Sequence, residues 1–197
     1  MKFKMKKWAV LSLAAIMMLS FAACGSENDD TSSQTSGSVQ SSSKAENPFA
    51  NMETVDLNDN AVNSSAFAEN KLTLVNAWNL GCTPCIEEIP ALDKLNKTYA
   101  DKGVAVKGLY YNFGNKLSDK ERTEIAEIMA KAKATYPQLL TSEAMAATDE
   151  LKEMAAFPTT YFVDSEGNIV YTVQGSRSYE DWAALVDEVL EKAANNV

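Results

Sequence analysis

The chain has 197 residues, 46% of them apolar, and a formal charge of −9 from 18 basic and 27 acidic side chains. Four of the basic residues stand within the first seven, so the remainder is more acidic still, which excludes a nucleic-acid binder and a body held by charge on an anionic lipid surface. Histidine is absent and cysteine occurs three times, which excludes His-based catalytic triads and the usual four-ligand zinc sites. Cys82 and Cys85 could hold zinc only with ligands borrowed from a second chain, so no metal and no cofactor is expected.

Residues 1–23 read as a signal peptide of the lipoprotein type. Lys2, Lys4, Lys6 and Lys7 form a basic start, and Trp8 to Ala23 is a mostly apolar stretch of 16 residues. That is close to signal-peptide length and short of the ~20 residues of a membrane span. Small residues, Ala22 and Ala23, lead into Cys24. Residues 24–47 then form a Ser-rich tether with eight serines and Val39 as its only sizeable apolar side chain. It cannot bury enough surface to fold, and a flexible chain of this length spans ~25–30 Å.

Residues 48–197 make one domain. The alternation in residues 53–57 predicts a short strand, with Asn58-Asp59-Asn60 as a turn. Lys71 to Trp78 is the first buried strand. A helix is expected from Cys85 to about Ala100, bent at Pro90 and stopped at Asp101-Lys102-Gly103. Val104 to Tyr111 is a second buried strand. Ser118 and Glu121 fit a capping box for a helix over 119–134. Gln138 to Leu140 is a short strand, and one helix is expected over 143–155. Thr159–Val163 and Ile169–Val173 form a hairpin across Asp164-Ser165-Glu166-Gly167-Asn168. A last amphipathic helix runs from Ser178 or Tyr179 to about Ala194. This order gives an α/β fold with a mixed sheet, parallel first and closed by an antiparallel hairpin.

The chemistry centres on Trp78-Asn79-Leu80-Gly81-Cys82-Thr83-Pro84-Cys85. A Cys-x-x-Cys at a strand-to-helix junction is a redox signature of the thioredoxin kind. The helix start leaves N–H groups unpaired and a partial positive charge, so a thiolate at the first cysteine is favoured. Cys82, on the exposed side of the junction, is the candidate nucleophile and Cys85 the resolving thiol. A purely structural disulfide is the bland alternative, but so short a loop restricts the unfolded chain little. Glu88 is the third candidate catalytic residue. Stepping about 100° per residue puts it in the arc of Leu92, Leu95 and Tyr99, with Glu87 outside. A carboxyl on that buried face should have a raised pKa and can exchange a proton with Cys85.

From Pro48 onward the chain resembles the membrane-tethered thioredoxin-fold proteins of the TlpA/ResA type, which include the cytochrome c maturation thioredoxins. The resemblance rests on Asn76-Ala77-Trp78 leading into Cys82-Thr83-Pro84-Cys85, on Pro90, on Phe157-Pro158-Thr159-Thr160, and on the long segment 118–155. It covers roughly three-quarters of the chain. It implies a thioredoxin fold with an extra strand–helix insert and an N-terminal β extension. It also implies a cis bond before Pro158 that bares the Phe157 backbone for an extended substrate, with Trp78 as a further substrate contact or a core residue. Asn76 stands where cytoplasmic thioredoxins keep an aspartate, which shifts proton transfer towards Glu88. Gly81 departs from the family's aromatic residue before the first cysteine. In such lipoproteins the cysteine after the signal becomes the lipidated first residue, here Cys24, which places the domain outside the cytoplasm on the cell membrane.

The function expected is an extracytoplasmic thiol–disulfide oxidoreductase that reduces exported proteins. Its electrons would come from a membrane thiol carrier. Its targets would be apocytochrome c, or an extracytoplasmic methionine sulfoxide reductase or peroxidase. The alternatives are a tethered binding module whose disulfide does not cycle, and an oxidant that forms disulfides. Nothing in the sequence points beyond a monomer.

Overall fold

The computed structural model describes residues 47–195; the expected signal peptide, Cys24 and nearly all of the tether lie outside them. A mixed sheet carries the domain. Its strands are β3 (Leu72–Trp78), β4 (Val104–Tyr110), β5 (Gln138–Leu140), β6 (Thr159–Val163) and β7 (Ile169–Gln174), in the order β5-β4-β3-β6-β7. β3 is parallel to β4, and β4 to β5, while β6 and β7 run antiparallel. All seven residues of β3 are buried, as a central strand covered on both faces requires.

Alternate residues of β3 point to different cores. Leu72, Leu74 and Trp78 join Ile89, Leu92 and Leu95 of α1 (Thr83–Thr98), Ile125 and Met129 of α2 (Asp119–Ala132), and Trp182, Val186 and Val189 of α5 (Tyr179–Asn195). Val75 and Ala77 face Phe49, Met52, Phe67, Met145 and Leu151 on the other side. Asn76 has the parity of the first set, so its amide is aimed at α1.

Three expectations change. The helix after the motif begins at Thr83 rather than Cys85, because Pro84 fits the first helical turn and Cys82 serves as its N-cap; it continues as one α-helix through Pro90. The expected helix over 143–155 is two short ones, α3 (Glu143–Ala146) and α4 (Asp149–Lys152). Thr148 separates them: its hydroxyl donates back to the Met145 carbonyl at 2.7 Å, and its extended backbone starts α4. Finally, the N-terminal strand pairs within a hairpin the sequence reading did not see, β1 (Glu53–Val55) against β2 (Ala61–Asn63). Leu57 N–H donates to Gln138 O at 3.2 Å, which lays this hairpin along the β5 edge.

The capping box is present as read. Ser118 Oγ accepts Glu121 N–H, and Glu121 Oε2 accepts Ser118 N–H at 3.0 Å.

Candidate active site

The parallel strands β3 and β4 end at one pole of the sheet, and β6 begins there, since Trp78 pairs with Tyr110 and Ala77 with Thr159. The chain leaving β3 turns at Asn79: its side-chain Oδ1 accepts Gly81 N–H at 3.0 Å and its carbonyl accepts Cys82 N–H at 3.1 Å. The turn delivers Cys82 to the N-cap of α1. Cys85 sits in the first turn, and the two are joined by a disulfide with Cα atoms 5.3 Å apart. Cys85 N–H points at Cys82 Sγ at 3.3 Å. There is no acidic residue in the first turn, so the positive end of the helix acts on the Cys82 sulfur unopposed by a local carboxylate.

Cys82 is more enclosed than expected, at 8% exposure against 0% for Cys85. The order of access is as expected: an attacking group reaches Cys82 first.

Glu88 is buried, at 4% exposure. Asn76 Nδ2 donates to its Oε1 at 2.9 Å and to Thr160 Oγ1 at the same distance. Arg177 N–H donates to Oε2 at 3.2 Å. Burial pushes the Glu88 carboxyl up from 4.5 to about 7; the Asn76 amide, the Arg177 N–H, the Trp182 indole and the Arg177 charge oppose that rise. The indole Nε1–H of Trp182 is buried and makes no hydrogen bond of regular geometry. Tyr136 faces the same carboxyl, and its phenol is pushed far up by its own burial and then by the charges of Glu88 and Asp93. Glu88 thus places a buried carboxyl, its pKa raised towards neutrality, three residues beyond Cys85 on the same helix.

The Phe157–Pro158 peptide bond is cis. The side chain of Phe157 turns inward, packs against both cores and lies 5.6 Å from the Tyr111 ring. Among the described residues nothing hydrogen-bonds the main chain of Phe157. Pro158 O is held by Gly175 N–H at 2.8 Å.

Trp78 does not belong to this surface. It is 1% exposed, donates its indole N–H to Gln138 Oε1 at 2.8 Å and stacks edge-on against Tyr110, so the substrate-contact expectation is replaced by a core role. At Gly81 a Cβ would find only Asn79 Oδ1, at 3.4 Å. The missing aromatic therefore leaves open space, not a turn that demands glycine.

Sequence reasoning missed Arg177, Trp182, Tyr136 and Thr160 around Glu88. The apolar face of α5 signalled Trp182 as core; no local pattern marks the others.

A disulfide at a helix N-terminus and a cis-proline at the same end of a mixed five-stranded sheet define a thioredoxin-like protein. Comparison with known proteins agrees: the redoxin family model matches residues 40–189, and the chain belongs to that family. It is 32% identical over 102 residues to a thioredoxin-like protein, YneN, of Bacillus subtilis, covering 52% of this chain and 55% of that protein. It is 23% identical over 121 residues to a thiol-disulfide oxidoreductase, ResA, of Oceanobacillus iheyensis, covering 61% and 58%. The chain thus spans less than two-thirds of the length of these relatives. Among solved structures, a thiol:disulfide interchange protein from Bacteroides sp. superposes with a TM-score of 0.55 at 25% identity, over 70% of this chain and 84% of that one. A DsbF homologue from Corynebacterium diphtheriae does so with 0.58 at 18% identity, over 72% and 85%.

Proposed function

We propose that this protein is a thiol–disulfide oxidoreductase that reduces disulfides of exported proteins outside the cytoplasm. The observation that carries the reading is the Cys82–Cys85 pair at the start of α1, with its more accessible sulfur at the N-cap. In the reduced protein the Cys82 thiolate attacks one sulfur of a target disulfide. A Cys82–target bond forms, and the other target sulfur leaves as a thiolate. Cys85, its proton passed to Glu88, attacks Cys82 Sγ; the target departs fully reduced and the Cys82–Cys85 disulfide is restored. Two electrons have moved, and a thiol donor must return them before the next cycle.

The unpaired Phe157 main chain supports binding of the target as an extended strand beside the disulfide. The proline before Cys85 supports a reducing role. The basic start, the apolar stretch and Ala22-Ala23-Cys24 support export and a lipid anchor at Cys24, with residues 24–47 as the tether. In that setting the donor is a membrane thiol carrier, and the target is apocytochrome c, or an extracytoplasmic methionine sulfoxide reductase or peroxidase.

The test is a trap. Cys85→Ser, offered a disulfide-bonded protein substrate, should accumulate a mixed disulfide through Cys82, while Cys82→Ser should accumulate none. No adduct with either variant would overturn the reading.

A further inference from the structure

The side chain of Glu88 is buried. Asn76 of β3 holds Oε1, and Trp182 of α5 and Tyr136 of the α2–β5 connection wall it in. Cys85, one turn back on its own helix, is buried too, and the oxidised pair carries no charge. Asp93, farther along α1, is engaged by Lys97 and by Thr135 N–H at 2.7 Å. Asn76, Tyr136 and Trp182 are all buried; of the polar groups that face Glu88, Arg177 alone is part-exposed.

Arg177 belongs to the loop between β7 and α5, and that loop is fixed at both ends. Gly175 N–H is bonded to Pro158 O, and Ser178 Oγ accepts Asp181 N–H at 3.1 Å at the start of α5. The part-exposed guanidinium is held against the loop's own carbonyls. Nη1 donates to Gln174 O at 3.1 Å and to Gly175 O at 3.0 Å, and Cζ lies 5.4 Å from the centre of the Trp182 ring. These contacts fix a positive charge and an apolar stem in the residue whose main-chain N–H binds the Glu88 carboxyl.

We propose that Arg177 is a positioning residue for Glu88: its main-chain N–H holds Oε2, and its guanidinium, fixed by the Gln174 and Gly175 carbonyls and against the Trp182 ring, supplies a positive charge that favours the carboxylate. The role matters for catalysis only through the proton step assigned above, and so rests on that reading. Its physical basis does not. The cation favours the charged carboxylate, whereas burial favours the neutral acid. Arg177 therefore sets where between these limits Glu88 titrates.

Charge and side-chain packing can be separated by substitution. Arg177→Met keeps an apolar stem and removes the charge; Arg177→Lys keeps a charge. The Glu88 carboxyl is followed by difference infrared titration of the purified full-length protein in its oxidised form, with Glu88→Gln identifying the band. Arg177→Met should raise the Glu88 midpoint by roughly half to one pH unit, and Arg177→Lys should return it to near the wild-type value. An Arg177→Met midpoint equal to wild type would overturn the proposal, as would equal shifts in the Met and Lys variants.

The second readout is the pH profile of disulfide exchange. Arg177→Met should move the profile in the wild-type background and leave it unmoved in the Glu88→Gln background. Equal displacement in both would show that Arg177 acts through the fold. The infrared titration needs no exchange reaction, so it stands even if the oxidoreductase reading fails.

Discussion

Glu88 illustrates how far single side chains could be read from the sequence. Its burial followed from helical phase alone, because the step between residues is fixed by the backbone. Its neighbours did not, because Arg177 and Trp182 come from a loop and helix some ninety residues away. The raised pKa has a consequence for stability. Between pH 4.5 and about 7 the folded protein holds a proton on Glu88 that the unfolded chain has released. The contribution of this group is therefore most favourable below pH 4.5 and declines as pH rises through about 7, by up to ~3 kcal/mol at about 1.4 kcal/mol per pKa unit. Glu88→Gln abolishes that decline. Urea unfolding at pH 4, 6 and 8 should show the variant gaining on wild type as pH rises; parallel curves would contradict the raised pKa.

Gly81 is a second residue-scale case. Its backbone conformation makes no demand for glycine, and the Cβ direction is open apart from Asn79 Oδ1. Gly81→Trp should leave the unfolding free energy within about 0.5 kcal/mol of wild type while changing the rate of exchange with protein disulfides. A large loss of stability would show that the open space is needed by the fold. Trp78 went the other way. A strand buried on both faces offers no pattern to distinguish core from site, and only the Gln138 acceptor settles that its indole is a packing group.

At the scale of elements, local signals that involve residues three or four apart were legible. Ser118 and Glu121 announced α2, and the structure contains both hydrogen bonds of the box. Ser118→Ala should lower stability by about 1 kcal/mol, measured by chemical unfolding; no loss would mean that water replaces the cap. The break within residues 143–155 was not legible, because Thr148 fits a helix by composition and interrupts one only through the extended backbone it adopts at the start of α4. The β4–β5 pairing hides a tighter constraint. A Cβ on Gly108 would fall 2.0 Å from Gln138 Oε1, the same oxygen that accepts the Trp78 indole. Gly108→Ala should cost about 1–3 kcal/mol through overpacking and perturb tryptophan fluorescence. Wild-type stability and spectrum would mean that Gln138 moves aside freely.

At the scale of the molecule, the order of elements sufficed for the sheet. Strand–helix–strand implies parallel neighbours, and a five-residue turn implies an antiparallel hairpin, so the chain crosses from the parallel half to the antiparallel half between β5 and β6. That crossing brings Phe157-Pro158 back beside the turn that carries Cys82. The cis-proline and the disulfide are thus some seventy residues apart in sequence and joined only by topology. The β1–β2 hairpin escaped detection because Ala61-Val62-Asn63 is too short to show alternation, and its link to the β5 edge joins residues some eighty apart in sequence. Cys85 shares one core with Trp182, Val186 and Val189 of α5, so the pair rests on the last helix of the chain as well as on α1.

The measurement that bears most directly on the account is the midpoint potential of the Cys82/Cys85 couple, read by thiol alkylation of the purified protein equilibrated in a dithiol redox buffer. A reductant of exported disulfides requires a value near or below about −250 mV, and that is the result the account predicts. A value near −120 mV would mark an oxidant that installs disulfides, and failure of the pair to exchange while the protein is folded would leave a binding module with a fixed disulfide. Either result would contradict the reductive function proposed for this site.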